Sequence, residues 1–353
     1  MVTVGYRAEI DAAQRFVESI EPGENIALLF HGDADGCCAG AIMYRALRHM
    51  ANQFVFPVFL EKDETIYSDS LAKRVLAREP SRLVVMDAGS RTRAIIPGVT
   101  TMVIDHHQPE GVPPVDVFVT SFGVEPPAPA SLLTYHICKG FIGLDGLEWL
   151  AAVGTAADVG AGADLEILRN ARSLYGVKAI KDTAALVDAA RRSPSHDVAA
   201  AFGALVGADS PLDIVEGAVP EAPALARYRQ EVRGELRRVM RAVPEFSGRW
   251  ALLRFKSPAL VHPSVAISWA RRLANNMILA ANYGYTEKNV HFSLRSALGV
   301  DLLGELRKIK PMEMEADYAH GHPEATGGIL PLEEFKQLLE ALGFAPGAAE
   351  LAP

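Results

Sequence analysis

The chain has 353 residues, of which 49% are hydrophobic and 22% charged, and its formal net charge is -8. This composition is typical of a globular protein with a substantial core, and the length suggests two domains. The acidic balance argues against a long nucleic-acid surface, which needs a basic stripe, although one local basic pocket would still bind a small phosphorylated ligand. Three cysteines are too few for a disulfide framework. We therefore expect a cytoplasmic protein, with no signal segment and no membrane contact.

Apolar runs alternate with helix-like segments along the first half of the chain. Strands are predicted over 26–31, 54–60, 82–89 (a strand followed by a turn) and 100–105. Helices are predicted over 38–50, 69–78, 130–140 and 147–157. Alternation at this spacing predicts βαβ crossovers and a parallel sheet with helices on both faces.

The composition changes from about residue 160 to 240, where alanine, arginine and leucine dominate and strand signals vanish. A second α/β pattern then starts at "WALLRF". Its predicted strands are 250–255, 276–282 and 288–295, and its predicted helices are 264–274, 301–307 and 332–342. We therefore predict an α/β fold of two lobes. An N-terminal parallel-sheet domain spans 1–190, a helical connector spans 191–245, and a smaller C-terminal α/β domain spans 246–353.

Four apolar segments of the first lobe end on residues of the types that commonly bind metal ions. These side chains are His31, Asp33 and Asp35 in "FHGDADG", Asp87 in "LVVMDAGS", Asp105, His106 and His107 in "VIDHH", and Asp158 in "AAVGTAADVG". The first three segments are predicted strands, and ligand sites lie outside the carboxyl ends of parallel strands, so we expect these clusters to converge on one edge. The aspartates also have alternative, purely structural explanations. Asp33 or Asp35 could cap the following helix, and Asp87 and Asp158 could be turn residues. Two adjacent imidazoles after a buried strand have no common capping role.

Charge favours a metal centre at this edge. The four carboxylates of Asp33, Asp35, Asp87 and Asp158 would repel one another, and some would have to bind protons. Two divalent cations would offset the four negative charges. Mixed imidazole and carboxylate ligands suit Mn²⁺, Co²⁺, Fe²⁺ or Zn²⁺ better than Mg²⁺, and we favour Mn²⁺. Paired metal ions of this kind support the hydrolysis of phosphoesters.

The four motifs, in this order, resemble motifs I to IV of the DHH phosphoesterases. That superfamily includes the RecJ exonucleases, the nanoRNase/pAp phosphatases, exopolyphosphatases and family II inorganic pyrophosphatases. The resemblance implies one metal ion held by His31, Asp33 and Asp87. It implies a second ion held by Asp35, Asp87, His106 and Asp158, with Asp87 bridging. It also implies that His107 faces the scissile phosphate and that Asp105 orients a histidine or a ligand.

The second lobe resembles the DHHA1 substrate domain of the same superfamily, through "HFSLRS" (291–296) and "GHPEATGG" (321–328). The resemblance implies that Arg295, beside Ser296, holds a substrate phosphate. Gly321 and His322 match the end of the "GGGH" loop of that family. This chain has "AHGH" there, so His320 either adds a contact or narrows the pocket.

The resemblance implies a metal-dependent hydrolase, and we expect it to cleave phosphodiester bonds of short oligonucleotides to mononucleotides. A long duplex is not an expected partner, because it would need an extended basic groove. Alternative activities are a pAp or other nucleotide phosphatase, a cyclic-dinucleotide phosphodiesterase and an exopolyphosphatase. A catalytically degenerate nucleotide-binding protein is an alternative of another class, favoured only by the altered loop. A homodimer is compatible with the sequence.

Overall fold

The structure is a computed structural model, and it describes residues 6–50, 54–141, 146–309, 318–322 and 325–345. The chain divides into two compact units. The first comprises residues 1–191 and 195–227, and the second comprises 192–194 and 228–353. Among the described residues, no helix combines the length and apolarity that crossing a bilayer requires.

A five-stranded sheet forms the centre of the first unit. Its strands are β1 (Ile26–Phe30), β2 (Val55–Val58), β3 (Arg82–Met86), β4 (Thr100–Asp105) and β5 (Val117–Thr120). The order is β2-β1-β3-β4-β5, and every neighbouring pair is parallel. All five residues of β1 are buried, as expected for a parallel strand that is covered on both faces.

Helices surround this sheet. They are α1 (Arg7–Glu18), α2 (Ala34–His49), α3 (Asp69–Leu76), α4 (Ala130–Cys138), α5 (Glu148–Val159), α6 (Glu166–Arg192), α7 (Val198–Gly207) and α8 (Pro211–Val215). Leu71 and Val75 of α3 pack with Ala27 and Leu29 on one face, while α2 and α4 contact the sheet and each other. Helix α6 is interrupted at Gly176, whose φ of 78° is left-handed.

The second unit contains a six-stranded mixed sheet. Its elements are α9 (Ala222–Val239, which begins in the first unit), β6 (Glu245–Ser247), β7 (Trp250–Phe255), α10 (His262–Arg272), β8 (Met277–Asn282), β9 (Asn289–Ser296), α11 (Leu302–Ile309), β10 (Tyr318–His322), β11 (Ala325–Pro331) and α12 (Leu332–Ala341). The order is β10-β11-β9-β8-β7-β6, and only β7 and β8 run parallel. One face packs on α11 and α12, and the other packs on α9 and α10.

The predicted α/β fold class is confirmed, with a five-stranded parallel sheet in the first unit and a six-stranded mixed sheet in the second. Several elements were not predicted from the sequence, namely α1, β5, β6 and the β10–β11 pair. Residues 325–331, which include Gly327 and Gly328, form strand β11. A Cβ at Gly327 would collide with the carbonyl oxygen of Phe292, so glycine at this position allows β11 to pair with β9. The division into three segments at 190 and 245 stays a prediction. Within the predicted connector, residues 195–227 cluster with the first unit.

Candidate metal centre

The carboxyl edge of the parallel sheet carries the predicted ligands. His31 follows β1, Asp87 follows β3, and Asp105 is the last residue of β4, directly before His106 and His107. Because the strands are parallel, their carboxyl ends meet at the same edge. The backbone also fixes the register there, since the amide of His31 donates to the carbonyl of Met86 at 3.1 Å.

The first group of side chains is His31, Asp33 and Asp87, whose ligand atoms lie within 4.8 Å of one another. His31 Nδ1 is 2.7 Å from Asp33 Oδ2 and 3.6 Å from Asp87 Oδ2. Asp33 also caps α2, because its Oδ1 accepts a hydrogen bond from the Gly36 amide at 3.1 Å. This cap starts α2 at Ala34, earlier than the predicted start at residue 38.

The second group comprises Asp35, His106 and Asp158. His106 Nε2 lies 3.1 Å from Asp158 Oδ2 and 3.9 Å from Asp35 Oδ2. It also lies 3.2 Å from Asp87 Oδ1. The two oxygens of Asp87 therefore face different groups, since Oδ2 faces His31 and Oδ1 faces His106. This is the arrangement that a carboxylate shared between two cations requires.

His107 differs from its neighbour His106 in its contacts. Its Nδ1 lies 2.9 Å from Asp105 Oδ1, and Asp105 is fully buried. The same nitrogen is 3.8 Å from Asp87 Oδ1, and ligand atoms of His107, Asp87 and His106 lie within 4.8 Å of one another. The shorter contact with Asp105 orients the His107 ring, which is the role that a carboxylate behind a functional imidazole has.

The electrostatics of the edge favour a cation. Burial, and then the negative charges of Asp33 and Asp35, raise the pKa of Asp87 well above its ordinary value. Burial, and then Asp35 and Asp87, raise the pKa of Asp158 to about 8. Burial alone would lower the pKa of His31, but the Asp33 carboxylate raises it to about 9. Asp87, Asp158 and His31 therefore bind protons more strongly than usual when no cation is present.

The donor set also fits a metal ion. Asp87 is 2% exposed, and its Oδ1 accepts no hydrogen bond from any described residue. A buried carboxylate oxygen without such a partner is costly, and coordination to a cation would satisfy it. Carboxylate and imidazole ligands together suit Mn²⁺, Fe²⁺, Co²⁺ or Zn²⁺.

Three contacts around the centre were not predicted from the sequence. The Asp35 carboxylate accepts hydrogen bonds from the start of α4, including the Ser131 hydroxyl. Asp188 of α6 accepts a hydrogen bond from the Ala34 amide at 2.8 Å. The Arg191 side chain runs along Gly32, with its Cδ 3.1 Å from where a Cβ of Gly32 would lie. No local sequence signal marks these residues, because their partners lie far away along the chain.

The predicted substrate residues lie together in the second unit. Arg295 and Ser296 end β9, and Arg295 pairs with Ala325, which in turn pairs with His322. Gly321 pairs with Thr326, and His320 pairs with Gly327; the side chains of residues 320–322 lie outside the described part. The Arg295 guanidinium is partly buried and donates to the carbonyls of Leu294 at 2.7 Å and Thr326 at 3.3 Å. Its role in substrate binding stays a prediction.

This chain is similar to known proteins in its N-terminal sequence and in its fold. Residues 25–157 match the family model described as DHH family, N-terminal domain. The matched range ends one residue before Asp158. The crystal structure of RecJ with Mn²⁺ from Thermus thermophilus is similar, with a TM-score of 0.71 and 19% identity over 99% of this chain and 56% of that chain. This chain thus spans about half the length of that RecJ. No curated protein is similar enough in sequence to count as a match.

Two further solved structures share the fold over most of both chains. Exonuclease RecJ bound to manganese gives a TM-score of 0.64 and 19% identity over 100% of this chain and 97% of that one. The DHH domain of a member of the s1p family of ribosomal proteins gives 0.67 and 16% over 98% and 91%. This chain therefore combines a RecJ-like fold with a candidate metal site of acidic and histidine side chains at the sheet edge. Residues 25–157 of this chain are a DHH family N-terminal domain.

Proposed function

We propose that this protein is a two-metal-dependent phosphoesterase that hydrolyses phosphodiester bonds of short oligonucleotides to mononucleotides. The observation that carries the proposal is the position of Asp87, whose two oxygens face two separate groups of ligands. One group is His31 and Asp33, and the other is Asp35, His106 and Asp158. When bound, two divalent ions make water acidic enough to lose a proton near neutral pH and offset the charge of a phosphoryl group.

The residues beside the ligands have distinct roles in this proposal. Asp105 holds the His107 ring through its contact with Nδ1 at 2.9 Å. His107, about a third of which is exposed, stabilises charge on the phosphate oxygens or protonates the leaving oxygen. Arg191 supplies positive charge beside His31 and Asp33, and its guanidinium has neither a hydrogen bond nor an ion pair with any described residue. These groups make the edge suitable for a phosphate as well as for cations.

Short nucleotide substrates are supported by charge and by fold. The net charge of -8 disfavours a long strand, whose binding needs an extended basic groove. Arg295 offers a planar set of donors that suits one phosphate. The structures with the same fold include an exonuclease bound to manganese, and we propose Mn²⁺ as the preferred ion here. We also propose a cytoplasmic location, because Cys37, Cys38 and Cys138 are buried free thiols, which reducing compartments favour.

A substrate panel tests the proposal. The chain would be assayed with Mn²⁺ on pApA, short RNA and DNA, pAp, a cyclic dinucleotide and polyphosphate, with Asp87→Asn as the matched inactive variant. We expect release of mononucleotides from the short oligonucleotides by the wild type alone. Preferred cleavage of pAp, the cyclic dinucleotide or polyphosphate would replace the proposed substrate by that class. Tight binding of one member without turnover of any would favour a nucleotide-binding protein instead.

A further inference from the structure

Three donors converge on the carboxylate of Asp35. Its Oδ2 accepts a hydrogen bond from the Ala130 amide at 2.7 Å, and its Oδ1 accepts one from the Ser131 amide at 3.0 Å. The Ser131 hydroxyl donates to the same Oδ1. Asp35 is 1% exposed and Ser131 is fully buried, so water does not compete for these contacts. The first turn of α4 and one hydroxyl therefore fix the orientation of this carboxylate.

Helix α5 packs closely against Ser131 and Asp35 at Gly154. A Cβ at Gly154 would collide with the Ser131 Oγ and would lie 2.9 Å from Asp35 Oδ1. Glycine at this position is therefore what allows α5 to approach the hydroxyl and the carboxylate so closely. The same helix carries Asp158, whose carboxylate belongs with Asp35 to one ligand group. The approach of α5 thus sets the position of one ligand as well as the room around another.

We propose that Ser131 is a positioning residue for the ion held by Asp35, His106 and Asp158, and that Gly154 makes the room that this role requires. The inference rests on the proposed function only in that the centre must bind divalent metal. Two hydrogen bonds to Oδ1 fix the orientation of the carboxylate and direct its remaining lone pairs away from α4. The alternative acceptor for the hydroxyl is the Ala151 carbonyl at 3.5 Å, which is longer and uncharged. Contacts behind a metal ligand commonly change metal affinity by about 10–100-fold.

Two variants test this role, each with a matched control. Ser131→Ala removes the hydroxyl and leaves the backbone donors in place. Its control is Thr183→Val, which removes another fully buried hydroxyl, one that donates to the Pro211 carbonyl at 3.0 Å instead of to a ligand. Gly154→Ala fills the space beside Asp35. Its control is Gly40→Ala, where a Cβ would meet the Phe30 ring at 2.6 Å.

The measurement is a calorimetric titration of the metal-free 353-residue chain with Mn²⁺, accompanied by a melting curve of each variant. We expect Ser131→Ala to lose about 10–100-fold in affinity for one ion and to keep the affinity for the other. Gly154→Ala should shift in the same direction, while both controls lose thermal stability and bind Mn²⁺ like the wild type. The inference is overturned if Ser131→Ala binds both ions like the wild type, or if Thr183→Val weakens binding equally.

These outcomes are separable from those of the proposed function. A wild type that binds two Mn²⁺ ions but hydrolyses no member of the substrate panel contradicts the proposed activity and leaves the Ser131 result intact. A wild type that cleaves oligonucleotides while Ser131→Ala keeps full affinity contradicts the positioning role alone.

Discussion

Replacing His107 by alanine should separate metal binding from turnover. The ring contacts Asp105 at 2.9 Å and is about a third exposed, so its removal leaves the contacts of His106 with Asp87 and Asp158 in place. The loss of a positioned acid or base costs about 10²–10⁴ in rate, which corresponds to about 3–5 kcal/mol of transition-state stabilisation. The free energy of unfolding should fall by about 1–3 kcal/mol, because the fully buried Asp105 carboxylate loses the imidazole that contacts it.

The matched variant is His106→Ala. His106 Nε2 lies 3.1 Å from Asp158 and 3.2 Å from Asp87, so this variant should lose one metal ion and should lose turnover as a consequence. The assay is metal content by mass spectrometry after dialysis against Mn²⁺, together with initial rates on a short oligonucleotide. A His107→Ala protein without metal, beside a His106→Ala protein that keeps both ions, would show that the two roles are exchanged. Full turnover by His107→Ala would refute any catalytic role for that ring.

Three further changes probe the rest of the molecule. Asp87→Asn removes the charge shared by both ligand groups and should lower the content of both ions; loss of a single ion would contradict the bridging role. Chelation of the metal should lower the melting temperature, since ligand at 100 times its Kd adds about 2.7 kcal/mol; an unchanged melting curve would mean that no ion stabilises the fold. Arg295→Ala should raise KM for phosphorylated substrates and leave kcat nearly unchanged, because its donors bind a phosphate that does not react; unchanged kinetics would remove it from the site.

Much of the candidate metal centre was predictable because one rule of sheet geometry connects distant motifs. Strands β1, β3 and β4 are short apolar runs, and each is followed directly by Asp or His. Since the carboxyl ends of parallel strands meet at one edge, the sequence predicted that His31, Asp87 and His106 share that edge. Their close approach also depends on the strand order β1-β3-β4, which only the structure gives. The distances among these side chains agree with that expectation.

Other features were not predictable because they depend on partners far along the chain. Ser131 is separated from Asp35 by 96 positions, and nothing in "PAPASLLTY" distinguishes it from an ordinary residue near a helix start. Strand β5 is a short edge strand with only Val119 buried, so its alternation is weak. Strand β11 contains Gly327 and Gly328, which argue against a strand by composition, and only the close approach of the Phe292 carbonyl explains the first of them.

The two aspartates of "GDADG" show why sequence alone leaves alternatives open at such a site. A helix cap and a metal ligand are different explanations of one residue type, but Asp33 meets the requirements of both. Its Oδ1 accepts from the Gly36 amide at 3.1 Å, and its Oδ2 lies 2.7 Å from His31. Asp35 does not cap α2. Its carboxylate instead accepts hydrogen bonds from the first two amides of α4. Because a carboxylate has two oxygens with two lone pairs each, a structural hydrogen bond and a metal contact can share one side chain, so the cap at Asp33 is no evidence against its role as a ligand.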